Sequence, residues 1–351
     1  MIDDRLSGTT DSNHATGPTE HEKTRFTGVT TIIEKPRAST KFSDPDRTLK
    51  GETRARVGLV TLRTLWINTG SLCNITCRNC YIESSPDNDR LVYPTADEIA
   101  PFIAEAAAAG ATEIGFTGGE PFMNPDLPRM LEQVLSRGLT ALVLTNAMAP
   151  MQRQRCKDHL TALATAHGGR LQLRVSVDHH TAALHDVERG AGTFDKTAAG
   201  IDWLVGAGIS VAIAGRTCWG ENESQARAGY ARLFAERDWP IDAADPVRLV
   251  LFPEMEPARE VPEISTACWN ILGKHPDQMM CASARMVVKR RGAAAPVVLP
   301  CTLLPYEPAF EMGATLAEAA VADGGMFEQG AVKLCHPYCA QFCVLGGGAC
   351  S

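Results

Sequence analysis

Three cysteines fall within eight residues, Cys73-Asn-Ile-Thr-Cys77-Arg-Asn-Cys80, directly after a predicted strand at residues 64–68. The number of thiols is informative. A structural zinc site takes four ligands in a closed tetrahedron, whereas a cubane iron–sulfur cluster on three cysteines leaves one iron open to a further ligand. Taken alone, the triplet also admits zinc or simple buried thiols. The chain has 12 cysteines in 351 residues and a polar N-terminus without a signal-peptide core. In a reducing compartment that usage points to metal or redox chemistry, not to a disulfide framework. The cysteines gather in two places, the opening loop and the last quarter, with Cys156, Cys218 and Cys268 scattered between.

Composition narrows the function classes. No apolar run is long enough to span a bilayer, so a soluble, cytoplasmic protein with no membrane partner is expected. A formal net charge of -7 argues against nucleic acid as a partner, which would require a basic face. The short run Lys289-Arg290-Arg291 reads as a solvated hairpin tip.

Residues 1–55 carry little apolar periodicity and read as a polar, poorly ordered arm. From residue 57 strands and helices alternate. Strands are expected at 64–68, 113–116, 141–145, 171–177, 210–214 and 248–252, and helices at 95–110, 127–137, 151–166, 193–206 and 223–236. Such alternation predicts a parallel sheet with helices outside it. In that architecture reactive groups sit after the C-terminal ends of strands, and the distinctive polar residues fall there. Gly118-Gly119-Glu120-Pro121 follows the second strand, Asn146 the third, Ser176 and Asp178 the fourth, and Arg216, Thr217 and Cys218 the fifth. Glycines let backbone approach a ligand closely, and the Glu120 carboxylate can accept from an ammonium group.

With the cysteine triplet and Gly118–Pro121 in this order, the chain resembles the radical S-adenosylmethionine (SAM) superfamily. The resemblance implies a partial (β/α)6 barrel over residues 56–260. Cys73, Cys77 and Cys80 would hold a SAM-binding [4Fe-4S] cluster, with the methionine end of SAM near Gly118, Gly119 and Glu120. The stretch from Val175 to Asp195 is similar to the fourth-strand region of members that modify peptides or build cofactors. By that likeness Ser176 and Asp178 contribute to the SAM site, and Arg189 grips the SAM carboxylate with its planar fork. Asn146 is expected either at SAM or as a turn-capping residue. Cys218 reads as a catalytic thiol facing substrate or as a small buried group. His179 and His180 are left without a role, and Asp245 and Glu254 are candidates for a general base.

The last quarter, 261–351, places a predicted hairpin (285–289 and 296–299) between Cys281 and Cys301, then a helix near Leu316, then Cys335, Cys339, Cys343 and Cys350. This resembles the twitch or SPASM extension, a small β-hairpin plus helix domain carrying auxiliary iron–sulfur clusters. The tail runs C-x3-C-x3-C-x6-C where that extension usually has C-x2-C-x5-C-x3-C, which favours one auxiliary [4Fe-4S] cluster over two. Cys281, Cys301, Cys339 and Cys343 are its expected ligands, with Cys335 and Cys350 as further candidates. Zinc is the other reading of these thiols.

The resemblance implies reductive cleavage of SAM to a 5′-deoxyadenosyl radical that abstracts a substrate hydrogen, with electrons from a flavodoxin- or ferredoxin-type reductant. The favoured outcome is oxidative modification of a peptide or protein side chain. A dehydrogenase of a small molecule, such as an amino sugar or cofactor precursor, is the near alternative. A non-catalytic iron–sulfur electron carrier is the alternative from another class.

Overall fold

The strand and helix alternation is realised along most of the chain. The computed structural model describes residues 40–253, 256 and 259–346. The first elements are β1 (Arg56–Val57), β2 (Thr64–Asn68), α1 (Ala96–Ala108), β3 (Glu113–Thr117), α2 (Leu127–Leu135) and β4 (Thr140–Thr145). They are followed by α3 (Ala149–Gln152), α4 (Gln154–His167), β5 (Leu171–Ser176), α5 (Ala182–Arg189), α6 (Thr193–Gly206), β6 (Ser210–Arg216), α7 (Glu223–Glu236) and β7 (Leu249–Phe252). The start of α1 is fixed locally: the Glu98 amide donates to Thr95 Oγ1 at 3.2 Å and the Thr95 amide donates to Glu98 Oε2 at 2.9 Å, a capping box. Helix α2 buries Leu127, Met130, Leu131, Val134 and Leu135, the i, i+3, i+4 spacing of one helical face.

Strands β2 to β7 lie side by side in sequence order and parallel. The next two strands come from the C-terminal quarter and join the same sheet. Strand β8 (Ala284–Val288) pairs parallel with β2, Thr64 opposite Ala284 and Ile67 opposite Val287, and β9 (Val297–Leu299) closes an antiparallel hairpin on β8. The hairpin therefore extends the main sheet, giving the order β7-β6-β5-β4-β3-β2-β8-β9. The physical reason is visible in β2, whose five residues are all buried; without β8 its outer edge would present unpaired backbone groups.

The arm is corrected in part. Residues 1–39 lie outside the described residues, but 40–55 are anchored. Arg54, only 3% exposed, pairs with Glu263 at 2.6 Å. The Ala55 amide donates to Ile264 O, and Leu334 donates to Ala55 O. Strand β1 joins a small antiparallel sheet with β10 (Phe327–Glu328) and β11 (Ala331–Lys333). Two further differences are local. Helix α5 forms where only a motif was read, and the helix expected over 151–166 is two, divided at Arg153 with ψ 136. Further helices include α8 (Cys268–Leu272), α9 (Leu316–Ala320) and a π-helix at Cys339–Leu345. No described helix is long and apolar enough to cross a membrane.

Candidate active site

The C-terminal ends of the parallel strands converge on one pocket. Cys73, Cys77 and Cys80, from the loop after β2, line it together with Gly118 and Gly119 from the end of β3. Asn146, Ser176, Asp178 and Arg189 line its other side. The glycines are required by the close passage of two backbones. A Cβ on Gly119 would stand 2.0 Å from Leu72 O, and one on Gly118, at φ +136, 2.4 Å from Gly70 O. That proximity is used: the Gly119 amide donates to Gly70 O at 2.8 Å and the Glu120 amide to Leu72 O at 3.1 Å. The β3 turn is thus stitched to the residues immediately before Cys73.

Glu120 ends the same turn. Its carboxylate, 2% exposed, accepts from Thr145 Oγ1 at 2.8 Å, the Asn146 amide at 2.9 Å and the Phe122 amide at 3.2 Å. These bonds hold the β3 and β4 ends together, and burial raises the acid to about 6. The pocket receives the Gly118-Gly119 backbone, and the Glu120 side chain is turned into the protein. Asn146 takes the turn role and also reaches the cysteine loop. Its Oδ1 accepts from the Met148 amide at 3.0 Å as a turn residue, while its Nδ2 donates to Asn74 Oδ1 at 2.9 Å in the cysteine loop.

Arg189 is the last residue of α5, where a cation suits the helix dipole. Its fork donates to Asp178, Nε to Oδ2 at 2.8 Å and Nη2 to Oδ1 at 3.0 Å. Asp178 is correspondingly held below the usual carboxylate range by Arg189 and Arg216, against its burial. In this arrangement Asp178 orients Arg189. Arg216 donates through Nη2 to Asn79 O at 2.6 Å, tying β6 to the same loop. Burial pushes the Cys73 thiol up to about 12 and raises Cys77, while the nearby Arg189 and Arg216 pull Cys77 the other way. The Ser84 amide donates to Cys80 Sγ at 3.3 Å. One buried and two partly buried thiols with guanidinium and amide donors around them are a set that could hold a metal as thiolates, because metal binding supplies the free energy to release their protons.

Sequence reading missed the pocket walls Trp66, Tyr81, Phe252 and Phe342, and Arg174. The signal for Arg174 was parity, since it shares the face of β5 with Ser176. Phe342 had none: it arrives from the π-helix and stacks on Phe252, centroids 6.4 Å apart at 19°. Cys218 is not among the residues lining the pocket. Asp245 precedes β7, at the opposite end of the strand from the pocket, and its carboxylate accepts the Val247 amide. Glu254 lies outside the described residues. His179 and His180 both direct Nε2 at Glu221, at 3.2 and 3.3 Å. The Thr181 amide donates to His179 Nδ1 at 3.0 Å, which leaves the ring proton on Nε2 and makes this trio a hydrogen-bonded group.

A second cavity gathers four of the C-terminal cysteines. Cys281 precedes β8, Cys301 follows β9, and Cys339 and Cys343 lie on the π-helix; all four line the cavity. Burial raises Cys281 to about 11 and Cys339 well above its ordinary range. Cys335 does not line it, and its thiol donates to Phe42 O at 3.1 Å. Cys350 lies outside the described residues.

Comparison with known proteins agrees with this geometry. Residues 67–227 match the family model described as the Radical SAM superfamily. The AdoMet-dependent heme synthase of Nitratidesulfovibrio vulgaris is 30% identical over 147 residues, 40% of this chain and 36% of that protein. The subtilosin biosynthesis protein AlbA of Bacillus subtilis is 30% identical over 143 residues, 40% of this chain and 30% of AlbA. The chain thus spans about a third of the length of these curated relatives. Among solved structures, Streptococcus suis SuiB bound to S-adenosylmethionine shares the fold at 12% identity and TM-score 0.56, over 75% of this chain and 66% of SuiB. Native anSMEcpe with bound AdoMet does so at 15% and 0.53, over 74% of this chain and 81% of that one. Taken with the three cysteines and the glycine turn in one pocket, the match over residues 67–227 identifies that span as a Radical SAM domain.

Proposed function

We propose that this chain is a radical SAM enzyme that oxidatively modifies a peptide or protein side chain. The observation that carries the reading is the convergence of Cys73, Cys77, Cys80, the Gly118-Gly119 backbone, Ser176 and Arg189 on one pocket. A non-catalytic iron–sulfur carrier would have no use for the last three. Cys73, Cys77 and Cys80 would hold a [4Fe-4S] cluster, and SAM would lie with its methionine end over the glycine turn. When bound and reduced, that pair supplies a 5′-deoxyadenosyl radical for hydrogen abstraction. The chain's own part is placement. Asp178 fixes the Arg189 fork in one plane, so the SAM carboxylate would meet an oriented partner, either sharing Arg189 with Asp178 or displacing it. Asn146 ties the far side of the cysteine loop to β4, and Trp66, Tyr81, Phe252 and Phe342 keep water from the reacting region.

Cys281, Cys301, Cys339 and Cys343 would hold one auxiliary [4Fe-4S] cluster, which the donor chemistry of their cavity supports. That cluster would accept the electron left on the substrate after hydrogen abstraction, so the product would be oxidised. The peptide choice draws support from AlbA among the sequence relatives. The heme synthase and the GTP 3′,8-cyclase of Hydrogenovibrio crunogenus, 30% identical over 151 residues, favour the second reading, a small-molecule oxidation in the same pocket. A flavodoxin- or ferredoxin-type protein is the proposed reductant.

The test is anaerobic reconstitution with iron and sulfide counting, on the unaltered chain and on the Cys73, Cys77, Cys80 triple alanine variant, followed by assay of 5′-deoxyadenosine release from SAM. The expected result is about eight irons falling to about four, with release of the nucleoside lost in the variant. About four irons falling to none would remove the auxiliary cluster, and no nucleoside from the reduced wild type would remove the enzyme reading.

A further inference from the structure

Arg285 sits at the second position of β8 and is 1% exposed, one of the largest fully buried side chains in the chain. Its hydrogen bonds all go to backbone carbonyls: Nη1 donates to Cys281 O at 2.7 Å and Ala284 O at 2.8 Å, and Nη2 to Gly330 O at 3.4 Å. Among the described residues no carboxylate pairs with it. The contrast within the same chain is Arg54, equally buried but paired with Glu263 at 2.6 Å. A guanidinium is not deprotonated inside a protein, and an isolated buried charge is costly. Carbonyl dipoles offset part of that cost and supply no counter-charge. The ionisable groups that face Arg285 are the thiols of Cys281 and Cys301. The missing anion therefore points into the cavity that those cysteines line.

We infer that Arg285 is the built-in counter-charge of an anionic, thiolate-ligated cluster in the Cys281, Cys301, Cys339 and Cys343 cavity, and that it holds that cluster's reduction potential up. The inference rests on the auxiliary-cluster reading above. Four thiolates on a [4Fe-4S] core leave a net negative charge that grows by one unit when the cluster takes up an electron. A fixed cation beside it stabilises the reduced form more than the oxidised form. The Nη1 bond to the carbonyl of Cys281 keeps the guanidinium well inside the roughly 12 Å at which a unit charge shifts an equilibrium tenfold at an effective dielectric near 20. The direction is the one that suits a cluster receiving an electron from an oxidised substrate.

The experiment uses the full chain in the Cys73, Cys77, Cys80 triple alanine background, where any remaining iron belongs to the tail. Iron and zinc are counted and the midpoint potential is measured by redox titration followed by electron paramagnetic resonance, for Arg285 and for R285K, R285Q and R285M. The expected result is that R285Q and R285M keep their iron and need a potential lower by about 59 mV or more, a tenfold change in the reduced-to-oxidised ratio, while R285K stays near the parent. Loss of iron from the neutral variants with retention in R285K supports the same conclusion, since charge is then what the cluster requires. An unchanged potential in R285Q and R285M, R285K behaving as R285M, or loss of iron from all three variants overturns it. If the parent background holds zinc or no metal, the auxiliary-cluster reading itself fails and this inference falls with it.

Discussion

Replacing Gly119 with alanine should dismantle the cysteine loop through one methyl group. The added Cβ would lie 2.0 Å from Leu72 O, 2.5 Å from Leu72 C and 2.8 Å from Ser71 O. Carbon and oxygen in ordinary contact stay at about 3.3 Å, so the Leu72 carbonyl would have to retreat by more than about 1 Å. It is backbone in a close-packed interior, with no rotamer to relax into. The retreat breaks two bonds, Gly119 N to Gly70 O at 2.8 Å and Glu120 N to Leu72 O at 3.1 Å, each worth about 1 kcal/mol net. Overpacking adds about 1–3 kcal/mol. The expected loss is therefore about 3–5 kcal/mol, with the displacement transmitted to Cys73, the next residue. The assay is denaturant unfolding of the metal-free chain beside iron counting after reconstitution. Gly110→Ala is the control: its Cβ would meet nothing within 4 Å, and only its φ of +87 is unfavourable, so it should cost about 1–2 kcal/mol and leave the iron unchanged. G119A with the stability and iron content of the parent would refute the argument that this glycine exists for backbone approach.

Other outcomes follow from the same geometry. Arg189→Met should leave Asp178 buried without its bidentate partner, costing about 3–5 kcal/mol, and should abolish measurable SAM binding by equilibrium dialysis on the reconstituted protein; retained binding would remove Arg189 from the site. Glu120 has a folded-state value raised from 4.5 to about 6, so the stability it contributes is present below pH 4.5 and is lost as pH rises through 6. That loss is roughly 2 kcal/mol; E120Q should flatten this part of the stability profile, measured by denaturant midpoints on metal-free protein, and an unchanged difference between pH 4.5 and 7 would count against the burial argument. Alanine at Cys281, Cys301, Cys339 or Cys343 should each lower the tail iron content, whereas Cys335→Ala should not, because that thiol is engaged with Phe42 O at 3.1 Å. Equal loss from Cys335→Ala would redraw the ligand set.

Much of the site was legible because its signals are local. The spacing of Cys73, Cys77 and Cys80 and the Gly118-Gly119 pair are short-range patterns, and strand and helix alternation placed them at the same end of a parallel sheet. The Thr95 and Glu98 box fixed where α1 begins for the same reason. Glu120 illustrates the limit. Its sequence neighbours mark it as part of the turn, yet which way a carboxylate points depends on Thr145 and the Asn146 amide, a strand away.

What the sequence determined by itself was the order of elements, the spacing of the cysteines and the end of the sheet at which the motifs meet, since hydrophobic period and motif spacing are properties of consecutive residues. Tertiary structure alone decided that the C-terminal hairpin would pair with β2, because edge pairing is a choice among all strands with free hydrogen-bonding groups. It also decided which C-terminal thiols share a cavity, leaving Cys335 aside, since convergence there depends on where β8, β9 and the π-helix end. The burial of Arg285 without a carboxylate partner among the described residues was equally invisible: an arginine in a strand reads as an ordinary surface charge until its neighbours on both sides are known.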